Sequence, residues 1–299
     1  MPPDIEIRPV ETHDEMRAVE DVQRAAWNMV ERDVVPMHLM VTWVEYGGLL
    51  LGAFDGGDLV GFVLGYPGVL REGDPRAAWL GTRLQHCSEM LAVHPAYQGR
   101  GIGYRLKLAQ RQALLEQGVG LATWTFDPLL SRNAHLNIRR LGGIARTYKR
   151  NVYGELHGIY AGLPTDRLEV EWWLGSRHVE RRLGGDPGPS WQAWEKAGAV
   201  LLNPSTPRGD GLRAPADALC DGRPARVLVE VPADLPAVKA VDMGLARAWQ
   251  EQVRGVFEAL FGMGYVAAWF VTGGGGGARR SAYVLDRRLD VEILARGEA

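Results

Sequence analysis

The chain has 299 residues, 46% of them hydrophobic and 23% charged, with a formal net charge of -2. That length exceeds one typical domain, the composition is that of an ordinary globular protein, and the charge gives no electrostatic reason to expect nucleic acid or an anionic membrane as partner. No run approaches the length of a transmembrane helix, and the N-terminus lacks the basic and apolar regions of a signal peptide. Cys87 and Cys220 form no metal pattern, so no metal is expected and a reducing cytoplasm is the expected compartment.

In chain order, Ile5 to Val10 alternates like a first strand. Thr12 and Glu15 match a capping box, and Met16, Val19, Val22 and Ala26 follow at helical spacing, predicting a helix to about Val30. Pro36 opens a second helix carrying Leu39, Met40, Trp43 and Val44, which Gly47 and Gly48 end. Leu49 to Phe54 and Leu59 to Gly65 read as strands joined by a tight Asp55–Asp58 turn. A polar loop through Asp74 and Pro75 leads to a central strand, Gln85 to Val93.

A glycine-rich loop and a third helix follow, the helix with a stripe of Leu106, Ala109, Ala113 and Leu114 and a stop at Gly118. Leu121 to Phe126 is the next strand, Ser131 to Leu141 a short helix, and Ala145–Tyr153 and Leu168–Leu174 two more strands. Residues 176–225, rich in Gly, Pro, Asp and Arg, read as a linker with one short helix from Trp191. Beyond it lie a strand at Arg226–Val231, a helix from Leu245 to Phe261, and strands at Tyr265–Val271 and Ala282–Leu285, the last two separated by the glycine run Gly273 to Gly277. The predicted organisation is 1–175, a linker 176–225, and a strand-helix-strand-strand unit 226–299.

The loop after the central strand carries the chemistry. Gly99, Gly101 and Gly103 alternate with Arg100 and Ile102, so backbone N–H groups can converge with no side chain in the way. The helix begins inside the loop, and its positive end favours a phosphate, to which Arg100 can add charge. A dinucleotide fingerprint would need glycine where Tyr104 stands, and a triphosphate loop would need a Gly-Lys pair that the chain lacks.

Gln98, Gly101 and Gly103 at this spacing, after a strand ending in Val93 and Pro95, resemble the acyl-coenzyme A loop of the GNAT superfamily of N-acyltransferases. The element order through residue 175 is similar to that fold. The resemblance implies an α/β (α+β) architecture with a V-splayed mixed sheet, and acetyl-CoA or another acyl-CoA as cosubstrate. It implies cofactor contacts from Leu91, Ala92 and Val93 on the strand, from Gln98 through Tyr104 in the cradle, and from Asn133. A second set of residues (Trp124 to Leu129, Arg132 to Asn137, Tyr148, Asn151, Tyr153, Gly162 to Arg167, Glu171 and Trp172) looks like one branch of the superfamily. Some members of that branch are linked with N-acylamino acid racemases, which implies succinyl-CoA:amino acid N-succinyltransferase as one activity.

An N-acyltransferase must deprotonate its amine, and a carboxylate can do so directly or through water. Glu89 is the candidate base, read as sharing a strand face with Leu91 and Val93. The tyrosine that many family members use as general acid is absent near Ile138, leaving Tyr148 or Tyr153. Arg132, His135 and Arg167 are candidate acceptor-site residues, arginine being suited to a carboxylate. Cys87 could serve a ping-pong route, but no histidine is placed by sequence to activate it. The expected activity is direct acyl transfer to a small-molecule amine. A catalytically silent acyl-CoA-binding module is the reading from another class.

The C-terminal unit repeats the element order of Leu121 to Leu174 with negligible sequence identity. It is expected to be a degenerate half-copy, packed beside the first sheet or on a partner subunit of a homodimer, against the alternative of an unrelated appendage.

Overall fold

The computed structural model describes residues 5–154, 161–217, 224–273 and 279–297. Cys220 and the glycines at 274–277 lie outside the described residues. The chain divides into two compact units, one running through Trp124 and the other built from Thr125–Glu155 and Gly162–Ala299.

The first unit runs β1 (Ile5–Pro9), α1 (His13–Trp27), α2 (Met37–Glu45), β2 (Leu49–Asp55), β3 (Asp58–Val69), α3 (Pro75–Leu80), β4 (Leu84–Val93), α4 (Ile102–Glu116) and β5 (Leu121–Phe126). The strands lie in the order β1-β2-β3-β4-β5. All pairs are antiparallel except β4–β5, which is parallel, so the sheet is mixed as expected. The capping box forms, with Thr12 accepting from the Glu15 N–H and the Glu15 side chain accepting from the Thr12 N–H. Helix α1 stops short of Val30 because Asn28 takes the left-handed conformation, φ 51°. The loop expected at Asp74 contains α3, started by the Asp74 side chain and by Pro75 in its first turn.

Two apolar layers sandwich this sheet. Met16, Val19 and Val22 of α1 and Met40 of α2 pack on Phe54, Phe62 and Leu64. On the other face Ile102 and Leu106 of α4 pack on Ile5, Val60 and Val63. Each such side chain contributes about 1.5–3 kcal/mol by leaving water.

A bulge in β4 decides what faces each layer. In the β3–β4 ladder Gly65 pairs with Ser88 and Leu64 with Met90, so Glu89 is the extra residue. Side chains alternate along a strand, and one inserted residue switches the alternation. Before the bulge, His86 and Ser88 meet Gln110 and Lys107 of α4. After it, Leu91 and Val93 join the α4 layer, and Met90 and Ala92 the α1–α2 layer. Glu89 therefore does not share the face of Leu91 and Val93, which corrects the reading from simple alternation. Gly65 is required opposite the bulge, since a Cβ there would come within 2.2 Å of the His86 ring.

The second unit holds α5 (Ser131–Ala134), continued by a π-helical turn His135–Arg140, then β6 (Ile144–Lys149), β7 (Arg167–Trp173), α6 (Arg177–Leu183) and α7 (Trp191–Lys196). Strands β8 (Val200–Leu201), β9 (Ser205–Pro207), β10 (Arg213–Pro215) and β11 (Arg226–Val231) follow. Helices α8 (Leu235–Val241) and α9 (Met243–Gly262), strands β12 (Val266–Gly273) and β13 (Arg280–Asp286), and α10 (Val291–Ala295) complete it. The segment read as an irregular linker thus contains two serine-capped helices and three short strands.

Strand order here is β7-β6-β12-β13-β11-β8. Strands β6 and β12 meet antiparallel at Ala145↔Ala267, and each bulges one residue later, at Arg146 and Ala268. Outward from that point β6 pairs with β7, and β12 with β13, both antiparallel. Strand β11 pairs in parallel with β8, as β5 does with β4 in the first unit. The echo between the C-terminal segment and the earlier chain therefore extends from element order to pairing sense and bulge position.

Candidate active site

The cradle forms where the sequence places it. Gly99 and Gly101 both have φ +78°, which L side chains rarely adopt, and the space beside each is open. Gly101 is the N-cap of α4 and supplies no side-chain cap, so the first N–H groups of the helix keep the donor capacity that an anion can use. The Gln98 amide donates to the Val93 carbonyl at 3.0 Å, tying the loop to the end of β4. Arg100 donates to the Ala96 carbonyl and lies over the Tyr97 ring, 4.9 Å from its centroid. Ile102 is buried beneath the cradle, and Gly103 and Tyr104 occupy the first turn of α4, half-buried. An open glycine loop on an uncapped helix start fits a pyrophosphate.

From the cradle, β4 leads back to the bulge. Its ladder with β5 consists of His86↔Ala122 and Cys87↔Thr123. From Ser88 to Val93 the strand runs on past that ladder, the geometry in which an extended ligand can use the Leu91, Ala92 and Val93 backbone as a strand edge would. Glu89 is exposed at the bulge, and the Tyr66 hydroxyl meets its carboxylate at 3.3 Å. Tyr66 stacks on Trp43 of α2, centroids 4.8 Å apart, which puts this carboxylate on the α1–α2 face.

Behind the bulge, on the α4 face, lies a buried polar cluster. The Lys107 ammonium donates to Ser88 Oγ at 3.1 Å and Gln110 Oε1 at 2.6 Å, and sits 3.7 Å from the centroid of the Trp124 ring on β5. Gln110 Nε2 faces His86 Nε2 at 3.2 Å. Burial drives the Lys107 pKa well down. Burial, and then the charge of Lys107, lower His86 to about 3, so His86 is neutral near pH 7. Its ring is turned from Cys87 and gives that thiol no base.

The remaining candidates belong to the second unit and are placed within it. Tyr148 gives its hydroxyl hydrogen to Asp166 at 2.8 Å, and Asp166 also accepts from Arg254 at 2.7 Å and from the Asn151 N–H at 3.0 Å. Burial first, and then the Asp166 hydrogen bond, raise the Tyr148 pKa. A phenol so committed suits an anchor between β6 and α9 rather than a general acid. Tyr153 is half-exposed, with its hydroxyl 3.0 Å from Thr125 Oγ1.

Arg132 is exposed and Asn133 half-buried at the start of α5. His135 has a buried Nδ1 without a hydrogen-bond partner among the described residues, and burial lowers its pKa. Arg167 is buried, donates to the Asp166 carbonyl at 2.9 Å and lies over Tyr153, 5.3 Å from the centroid, which leaves a substrate carboxylate little access to its guanidinium.

Sequence reading missed Tyr66, Trp43 as its partner, and Lys107 with Ser88 and Gln110. The signal for Lys107 and Gln110 was present: they fall at helical spacing on the buried stripe of Leu106 and Leu114, where apolar residues are the rule. The bulge that turns Glu89 has no comparable signal.

The fold of the N-terminal region is of mixed α/β class, with a glycine loop opening onto the start of α4. Residues 16–136 match the Acetyltransferase (GNAT) family. No curated protein matches the chain. Among solved structures it is similar to the ribosomal-protein-S18-alanine N-acetyltransferase of Escherichia coli, at 17% identity over 56% of this chain and 92% of that one, TM-score 0.42. It is also similar to yncA of Salmonella typhimurium, solved with its cofactor acetyl-CoA, at 19% identity over 58% and 96%, TM-score 0.43. An N-acetyltransferase of Staphylococcus aureus Mu50 matches at 16% over 57% and 99%, TM-score 0.43.

Proposed function

We propose that this protein transfers an acyl group, acetyl in the first instance, from acyl-CoA to the primary amine of a small molecule within one ternary complex. The observation that carries this reading is the continuity of cradle, strand and carboxylate. An uncapped α4 start bordered by Gly99 and Gly101 leads along β4, beyond its β5 ladder, to Glu89 at the bulge. The cradle holds the pyrophosphate, and the β4 backbone holds the extended arm that follows it.

Glu89 takes a proton from the acceptor ammonium, directly or through water, so that the nitrogen lone pair is free to attack the thioester carbonyl. Tyr66 holds the carboxylate in place. The Trp43–Tyr66 pair beside it offers aromatic faces that attract an ammonium before it is deprotonated. The acceptor thus approaches from the α1–α2 side of the sheet, with α4 and its cradle on the other.

The test is a thiol-release assay with acetyl-CoA and succinyl-CoA across a panel of D- and L-amino acids and simple amines. Turnover with acetyl-CoA that disappears in Glu89→Gln, while coenzyme A still binds, is the expected result. Binding without turnover for every pair would overturn the enzymatic reading in favour of an acyl-CoA-binding module.

A further inference from the structure

The Lys107 cluster takes no part in the reading above, yet it stands where that reading brings the sulfur of the coenzyme. The β4–β5 ladder ends at Cys87↔Thr123. The next residues on the two strands are Ser88 and Trp124, and Lys107 contacts both, at 3.1 Å from Ser88 Oγ and 3.7 Å from the Trp124 centroid. A chain entering from the cradle and following β4 from Val93 back to Ser88 covers roughly 17 Å at about 3.4 Å per residue, the reach of an extended pantetheine arm. Its thiol end arrives at the close of the ladder, beside Ser88 and one hydrogen bond from the Lys107 nitrogen.

Three groups favour charge on that nitrogen. Ser88 Oγ and Gln110 Oε1 both accept from it, and the face of an indole attracts a cation. Burial opposes charge and drives the pKa of that nitrogen down. Its titratable neighbour across α4 and β4 is His86, reached through Gln110 and itself neutral.

Resting on the proposed acyl transfer, we propose that Lys107 is the positioning cation for the leaving thiolate and, through Ser88, the source of its proton. As the amine nitrogen forms its bond to the carbonyl carbon, the carbon–sulfur bond breaks and its electron pair goes to sulfur. Glu89, having passed the first ammonium proton to solvent, takes the second amine proton in this step and releases it likewise after product leaves. The Ser88 hydroxyl, which donates to Gln110 Oε1 at 3.2 Å in this structure, turns to give its proton to the thiolate, Ser88 takes one from Lys107, and Lys107 is recharged from solvent after product leaves. This supplies the step for which the usual family tyrosine is missing near Ile138, and it leaves Tyr148 to its contact with Asp166.

The experiment is a pH titration of the thiolate absorbance of coenzyme A bound to the full-length wild-type chain, to Lys107→Met and to Ser88→Ala, with binding followed separately by calorimetry. In the wild type the bound thiol should titrate about one unit below the free thiol, a roughly tenfold gain in thiolate fraction. Lys107→Met, which keeps the packing volume, should return it to the free value and lower kcat at unchanged amine KM. Ser88→Ala should keep the lowered thiol pKa but lose kcat, since the field survives and the relay does not.

Coenzyme A binding with an unshifted thiol in the wild type overturns the role of Lys107 alone, whether or not the variants fold. A shift that survives in folded Lys107→Met does the same. Failure of the wild type to bind coenzyme A overturns the acyl-CoA reading itself, and this inference with it.

Discussion

The Tyr66 hydroxyl and the Glu89 carboxylate meet at 3.3 Å because β4 carries one residue more than β3 at that point. Without the bulge, Tyr66 would face a different part of β4. The contact ties the orientation of the carboxylate to the Tyr66 ring. Glu89→Gln should lower kcat by about 10²–10⁴-fold, the range for loss of a general base, with coenzyme A affinity unchanged. Tyr66→Phe should cost far less, a few-fold, because the carboxylate remains and only its orientation loosens. Equal losses in the two variants, read by thiol release, would contradict a base role for Glu89.

Gly101 is held at φ +78° at the cap of α4, whereas Gly103 lies inside the helix with room for a methyl group 3.8 Å from Leu91 and Val93. Gly101→Ala should cost about 1–2 kcal/mol from the left-handed backbone and weaken coenzyme A binding. Gly103→Ala should leave stability unchanged or raise it by about 0.5–1 kcal/mol. Thermal unfolding and calorimetric titration of the two variants separate a backbone requirement from a general intolerance of the loop.

His86 is buried and neutral, its folded pKa near 3 against an ordinary value of 6.5. The folded protein therefore binds fewer protons here than the unfolded chain. The associated stability is fully present above pH 6.5 and lost as pH falls from there toward 3. Each pH unit in that window should cost the wild type up to about 1.4 kcal/mol from this site. His86→Gln, which keeps an acceptor for Gln110, should remove that much from the slope in urea unfolding series run from pH 7 to 4. An unchanged slope would show that His86 charges without penalty.

Asp166 is fully buried and binds Arg254, Tyr148 and the Asn151 N–H. Asp166→Ala leaves a partly buried arginine without its carboxylate and should cost about 3–5 kcal/mol in chemical denaturation. Tyr148→Phe removes one hydrogen bond to a charged group, about 1.5–3 kcal/mol, and should retain turnover. A large loss of kcat with stability intact would restore Tyr148 as the acid.

Local pattern in the sequence marks the glycine loop and the capping box, and both form in the structure. The cradle needs glycines at set spacing before a helix, and Thr12 with Glu15 needs only its own turn. Lys107 and Gln110 were hidden in plain periodicity, because a helical stripe says which positions are buried and nothing about which polar residues will find partners there. Two serine-capped helices in 177–196 were diluted by the Gly, Pro, Asp and Arg around them.

By itself the sequence determined the strands and longer helices of the N-terminal region, the glycine loop before α4 and the presence of a carboxylate on the central strand, because each depends on neighbours a few residues apart. Only the tertiary structure decided that Glu89 turns to the α1–α2 face with Tyr66, that Lys107 joins Ser88 to Trp124, and that β6 meets β12 at Ala145 and Ala267. The reason is register. A one-residue slip between paired strands exchanges the two faces of a sheet, and that slip is set by packing across the ladder, which no local stretch of sequence encodes.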